Sequence, residues 1–209
     1  RMKREEIIMP KESNKISLFE KVLYGSGDVG LNAMYTLFSS YVLFFYTDVI
    51  FMNAALIGTV IMISKIFDGV SDLIAGQLID THKSKLGHCI PVLLKWTLPM
   101  VASVVLVFTV PDSTIAIRVA YIFMTYNLFN TVLYTYVCMA HGSLATYVTN
   151  NSEDRSQMLI FKMLFAALTQ TIMASVMMPM VNYFGGQQLQ SAWIKSILVF
   201  GIIGLVPLH

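Results

Sequence analysis

Apolar residues gather along this chain in six long blocks: Leu31–Phe51, Ala54–Ile79, Ile90–Val110, Ile115–Cys138, Leu159–Val181 and Trp193–Leu208. Crossing a bilayer takes roughly 20 mostly apolar residues. The first five blocks meet that requirement and the sixth barely does. The polar stretches between them are short and carry turn chemistry, from Asp48 to Asn53, at Pro111-Asp112-Ser113-Thr114, at Asn150-Asn151-Ser152 and at Gly185-Gly186. Connections this short make the helices antiparallel neighbours. The pattern predicts an all-α membrane protein, with an N-terminal arm over residues 1–28 and a six-transmembrane-helix bundle over residues 29–209.

Composition agrees. Hydrophobic residues make up 56% of the chain and charged ones 12%, about half the charged share of a soluble domain. A soluble fold could not bury so much apolar surface, whereas a bilayer is itself an apolar solvent. The net charge of +2 is small and its basic residues are scattered, which argues against nucleic acid as a partner. Cys89 and Cys138 lie in or beside apolar stretches and read as small apolar residues rather than a disulfide. No secretory h-region stands in the first 28 residues.

Basic residues outside the spans orient the bundle. Arg1, Lys3, Arg4, Lys11, Lys15 and Lys21 precede the first span, Lys83 and Lys85 follow the second, and Arg155 follows the fourth. The three opposite connections hold none, although Arg118 and Lys195 lie just inside the following spans. Both termini are therefore expected in the cytoplasm, in a multi-pass protein of a bacterial inner membrane. The sixth span stops at His209 and the numbering opens on Arg1. Those ends read as a fragment or a split gene product, with a short complete protein as the alternative.

Charges inside spans carry the most information, since each costs a few kcal/mol even on mild insertion scales. Lys65, Asp68 and Asp72 fall within Lys65-Ile66-Phe67-Asp68-Gly69-Val70-Ser71-Asp72. Spacings of three and four put them on one helical face. Two carboxylates a turn apart repel, so a cation or a proton is needed between them, and Lys65 can neutralise only one. With the Ser71 hydroxyl, the pattern suits a hard-oxygen site for Na+, Li+ or H+. The plainer reading is a Lys–Asp pair that pins helix packing, but it leaves the second carboxylate without a purpose.

Other polar positions are less specific. Asn32, Tyr35, Thr36, Ser39, Ser40 and Tyr41 in the first span could line a solute path or pack helices. Asn127, Asn130, Thr131, Tyr134 and Thr135 recur at helical spacing in the fourth span and must face protein rather than lipid. His141 lacks companions for a metal site, and Lys162 could simply snorkel to the headgroups. No nucleophile–base pair, phosphate loop or redox motif is present, so neither an enzyme nor a cofactor is expected.

Three segments together carry a family resemblance. They are Tyr24-Gly25-Ser26-Gly27, Tyr46-Thr47-Asp48-Val49 and Asp68-Gly69-Val70-Ser71-Asp72, the last followed by Gly76 and Asp80. Asp80-Thr81-His82-Lys83-Ser84-Lys85-Leu86-Gly87, Pro91 and Glu153-Asp154-Arg155 extend it. From about Tyr24 onward the chain resembles the glycoside–pentoside–hexuronide cation symporters, the melibiose permease-like branch of the major facilitator superfamily. The resemblance implies two six-helix bundles working by alternating access, of which this chain would be the N-terminal one. The other half would be a C-terminal bundle or a second copy.

It also implies a cation site at Asp68, Asp72, Ser71 and Thr135, with Lys65 where the family often has Arg. Solute contacts are implied at Asn32 and Cys138, where the family has acidic residues, and at Lys162 or Met163, where it has Arg. Tyr35, Asn127 and His141 complete the candidate solute set. The family's Asn-Ile-Pro-Tyr-Gly stretch reads Cys138-Met139-Ala140-His141-Gly142 here. The acidic pair that would grip sugar hydroxyls is absent, which weighs against a galactoside. The leading expectation is cation-coupled symport of a small, sugar-like solute. A transport-inactive scaffold and an exporter of a non-sugar solute are the alternatives, the latter suggested by aromatic residues and 14 Met.

Overall fold

The computed structural model describes residues 16–81, 89–149 and 151–205. Among these residues there are six helices and no strand. They are α1 (Leu18–Val49), α2 (Ala54–Thr81), α3 (Ile90–Val107), α4 (residues 115–148), α5 (Ser152–Tyr183) and α6 (Gln190–Leu205). By length and composition, α1, α2, α3 and α5 can each cross a membrane, and α6 is a shorter apolar helix. Two helices contain a π-helical turn, Phe45–Val49 at the end of α1 and Leu128–Tyr134 in the middle of α4.

The first helix begins well before the span expected from Leu31, so the expected arm boundary at residue 28 falls inside it. Its start is a capping box: the Ser17 hydroxyl accepts from the Glu20 amide at 3.2 Å, and the Glu20 carboxylate accepts from the Ser17 amide at 2.8 Å. Glycines that look like helix breakers in the sequence are contact points here. A Cβ on Gly25 would stand 2.8 Å from Cδ2 of Phe165 and 3.0 Å from the main-chain carbon of Phe161. Only glycine lets α1 lie this close to α5. Likewise α4 continues past Cys138 to Val148. The fifth helix starts at Ser152 rather than Leu159, where the Asn151 side chain accepts from the Glu153 amide at 3.0 Å.

One aromatic-rich core joins the helices. Phe38 of α1 packs on Tyr126 and Phe129 of α4, and Trp193 of α6 stacks on Phe108 with ring planes 6° apart. A buried ion pair ties α1 to α5: Lys21 Nζ lies 2.6 Å from Asp154 Oδ1 and 2.7 Å from Gln157 Oε1. By contrast, α2 and α5 leave most of their apolar surface uncovered, including Met62, Ile66 and Leu73 on one and Met163, Leu168 and Ile172 on the other. Such faces suit a hydrocarbon surround. Cys89 and Cys138 are not joined in a disulfide. The N-terminal arm up to Lys15, the loop residues Lys83 and Lys85, and the end of the sixth span at residues 206–209 lie outside the described residues.

Candidate functional site

Asp68 is held by two helices. On its own helix, Lys65 brings Nζ to 3.2 Å from Oδ2. From α4, the Asn130 amide donates to both carboxylate oxygens at 3.0 and 2.9 Å, and the Thr131 hydroxyl donates to Oδ1. Behind this pair the Asn127 side chain donates to Ser64 Oγ at 2.8 Å, and its oxygen lies 3.1 Å from the Thr131 hydroxyl oxygen, whose one proton faces Asp68. The Asp68 charge is thus compensated by an ammonium and three hydrogen bonds. Asp72, one turn on, is exposed and has no hydrogen-bond or ion-pair partner among the described residues.

The donors Asn130 and Thr131 lie within the π-helical turn of α4. A wide turn shifts the i→i−4 ladder and leaves main-chain carbonyls to other donors, and such turns recur at functional sites. Thr135 donates to the Asn130 carbonyl at 3.2 Å, and Ser71 donates across from α2 to the Thr131 carbonyl. Both hydroxyls named by the sequence therefore place their protons on this turn, which leaves their oxygen lone pairs as the part able to meet a cation.

A second cluster forms around Asp28, a carboxylate that the sequence reading passed over. Asp28 Oδ1 lies 3.6 Å from Lys162 Nζ of α5 and 3.7 Å from His141 Nδ1 of α4, with the Asp28 side chain only 3% exposed. Asn32 donates to the same carboxylate, and Gln170 reaches the Asn32 oxygen at 3.5 Å. The His141 ring stacks on Tyr24 at 4.9 Å with planes 6° apart. Gly27 makes room for it, because a Cβ there would stand 2.8 Å from His141 Nε2. The signal available in the sequence was a carboxylate four residues before Asn32 in a glycine-rich stretch of helix.

Of the candidate solute residues, Asn32, His141 and Lys162 thus meet around Asp28. Cys138 lies within electrostatic reach of Asp28, Lys162 and Asp72. Tyr35 stacks on Tyr134 beside them, whereas Asn127 sits in the Asp68 network. The fourth helix serves both clusters, presenting Asn130 and Thr131 to α2 and His141 to α1 and α5.

Comparison with known proteins shows the family. The profile of the MFS/sugar transport protein family matches residues 23–208. The chain belongs to that family. An uncharacterized symporter of Bacillus subtilis (strain 168), YnaJ, is 32% identical over 201 residues, covering 94% of this chain and 43% of the relative. The isoprimeverose transporter of Lactiplantibacillus pentosus is 30% identical over 195 residues, covering 92% of this chain and 40% of the relative. The glucuronide carrier protein homolog of Escherichia coli (strain K12) is 30% identical over 184 residues, with 88% and 40% covered. The chain therefore spans about two fifths of the length of these relatives. Membership in this family agrees with a multi-pass, all-helical, major facilitator-type half related to the glycoside–pentoside–hexuronide symporters. The family and its named members are transporters, not enzymes.

Proposed function

We propose that this chain forms one half of a cation-coupled symporter for a small, sugar-like solute, working by alternating access with both termini in the cytoplasm. The observation that carries the reading is the contrast between two carboxylates a turn apart on α2. Asp68 already has Lys65, Asn130 and Thr131, while Asp72 is exposed and without a partner among the described residues. A purely structural ion pair would need only Asp68. Asp72 is left to take Na+, Li+ or H+, with hydroxyl oxygens of Ser71 and Thr135 to share it. Solute would meet Asn32, Tyr35, Cys138, His141 and Lys162, and Asp28 joins that set.

The relatives' names, an isoprimeverose transporter and a glucuronide carrier homolog among them, support a sugar-like solute. Coupling would run through α4, since one helix holds both clusters and a shift at its π-helical turn is felt by His141. The uncovered apolar surface of α2 and α5 is available to lipid and to the other half of the transporter. The test is uptake of isoprimeverose and of a glucuronide into proteoliposomes under imposed Na+, Li+ or H+ gradients, using the intact protein that carries this chain. Uptake driven by at least one ion gradient is expected. Uptake of either sugar that ignores all three gradients would refute symport.

A further inference from the structure

We infer that Asp28 and His141 hold one exchangeable proton between them, at a site separate from Asp68 and Asp72, and that binding it releases Lys162 to the solute. Three geometric facts lead there. First, His141 Nδ1 is sealed from solvent and has no hydrogen-bond partner among the described residues, yet it points at Asp28 Oδ1 from 3.7 Å. An unsatisfied buried ring nitrogen costs free energy that one proton on this pair would recover. Second, the His141 ring that faces the carboxylate also lines a cavity of about 310 Å³, together with Tyr24, Gly27 and Glu20. Glu20 is exposed at the start of α1, so the cavity is lined by both an exposed acid and the His141 ring. Third, Lys162 is close enough to serve Asp28 as a counter-ion but keeps 21% of its side chain exposed, and it can turn away.

The charges that face Asp28 can be counted. Its own helix supplies Tyr24 and Asn32, α4 supplies Tyr134, Cys138 and His141, and α5 supplies Lys162. From α2, Asp72 lies within electrostatic reach of Cys138. With His141 neutral and Asp28 ionised, Lys162 is the cation that balances the carboxylate among the described residues. The other ring nitrogen, Nε2, donates to the Tyr24 main chain, so an added proton goes to the Nδ1 side and is shared between Nδ1 and Asp28 Oδ1 as the ring draws in. The ring keeps its Nε2 proton throughout. Wherever the shared proton resides, the Asp28–His141 pair is now neutral. Lys162 no longer has a partner and offers its ammonium to solute oxygens. Proton and solute then favour each other's binding, a coupling that typically amounts to roughly 5–150-fold in affinity.

The release of Lys162 rests on its reading as a solute contact; the shared proton does not. The test therefore omits both solute and Na+. Infrared difference spectra are recorded between about pH 5 and about pH 9 on the intact protein in nanodiscs, a range that brackets ordinary histidine titration. The expected result is a carboxyl band that is lost in Asp28→Asn and displaced in His141→Gln. In Lys162→Met, the protonated-to-ionised ratio of that band at fixed pH should rise about tenfold or more, because the cation favouring the carboxylate is gone. A spectrum unchanged by Asp28→Asn overturns the proposal, and so does a ratio that Lys162→Met leaves alone or lowers. If Asp28→Asn is not recovered folded, the His141→Gln and Lys162→Met spectra decide by the same criteria. Failure of ion-driven uptake would count against symport and would leave these spectra as they are.

Discussion

Tyr35 of α1 stacks on Tyr134 of α4, ring centroids 4.7 Å apart and planes 18° apart. Tyr35 is also within electrostatic reach of Lys65, and Tyr134 within reach of Asp28. The pair therefore stands where the two carboxylate clusters adjoin. Aromatic stacks contribute about 0.5–1.5 kcal/mol beyond their buried area. Tyr134→Ala should lose at least that much stability and weaken the effect of ion on solute binding, whereas Tyr35→Phe should preserve both. Detergent thermal melts combined with binding assays at two ion concentrations check this.

The glycines of α1 give a second expectation. Gly25 meets main chain on α5, which cannot swing aside as a side-chain tip can. Gly25→Ala should destabilise the α1–α5 contact by about 1–3 kcal/mol, as overpacking commonly does. Gly27→Ala instead pushes on the His141 ring, so its larger effect should fall on solute affinity. Thermal stability and equilibrium binding, measured side by side, separate the two variants.

Removing one partner of a buried ion pair leaves the other charge uncompensated. For Lys21 and Asp154, both under 10% exposed, Asp154→Leu alone should cost on the order of 3–5 kcal/mol. The double variant Lys21→Met with Asp154→Leu should recover most of it. Denaturation of the four members of the cycle in detergent gives the answer, and additivity of the two changes would contradict a direct pair.

Topology can be checked without a functional assay. Ser113 and Ser84 lie in connections on opposite sides of the bundle if the Lys/Arg asymmetry orients it. A thiol reagent applied outside intact cells should label Ser113→Cys and spare Ser84→Cys. The reverse pattern would place the termini outside.

Much of this was legible in the sequence because apolar block length and charge spacing are read one residue at a time. Lys65, Asp68 and Asp72 announced themselves as charges inside an apolar run, and the structure pairs Lys65 with Asp68. Asp28 escaped because it is the last residue of the expected arm, outside the first span, whereas the neighbouring Gly25 and Gly27 lie where helices touch. The π-helical turn at Leu128–Tyr134 left no mark in the periodicity either. Asn127, first grouped with the solute residues, belongs to the Asp68 network.

The account turns on Asp72 as the carboxylate left open to the coupling ion. The most direct measurement is equilibrium binding of isoprimeverose or a glucuronide to the intact protein, with and without saturating Na+, Li+ or low pH. The wild type should show a roughly 5–150-fold change in affinity with its coupling ion. Asp72→Asn should bind solute with no dependence on that ion while folding and inserting normally, since Asp72 is exposed and the change strands no partner among the described residues. An Asp72→Asn protein that keeps the wild-type ion dependence would contradict the account.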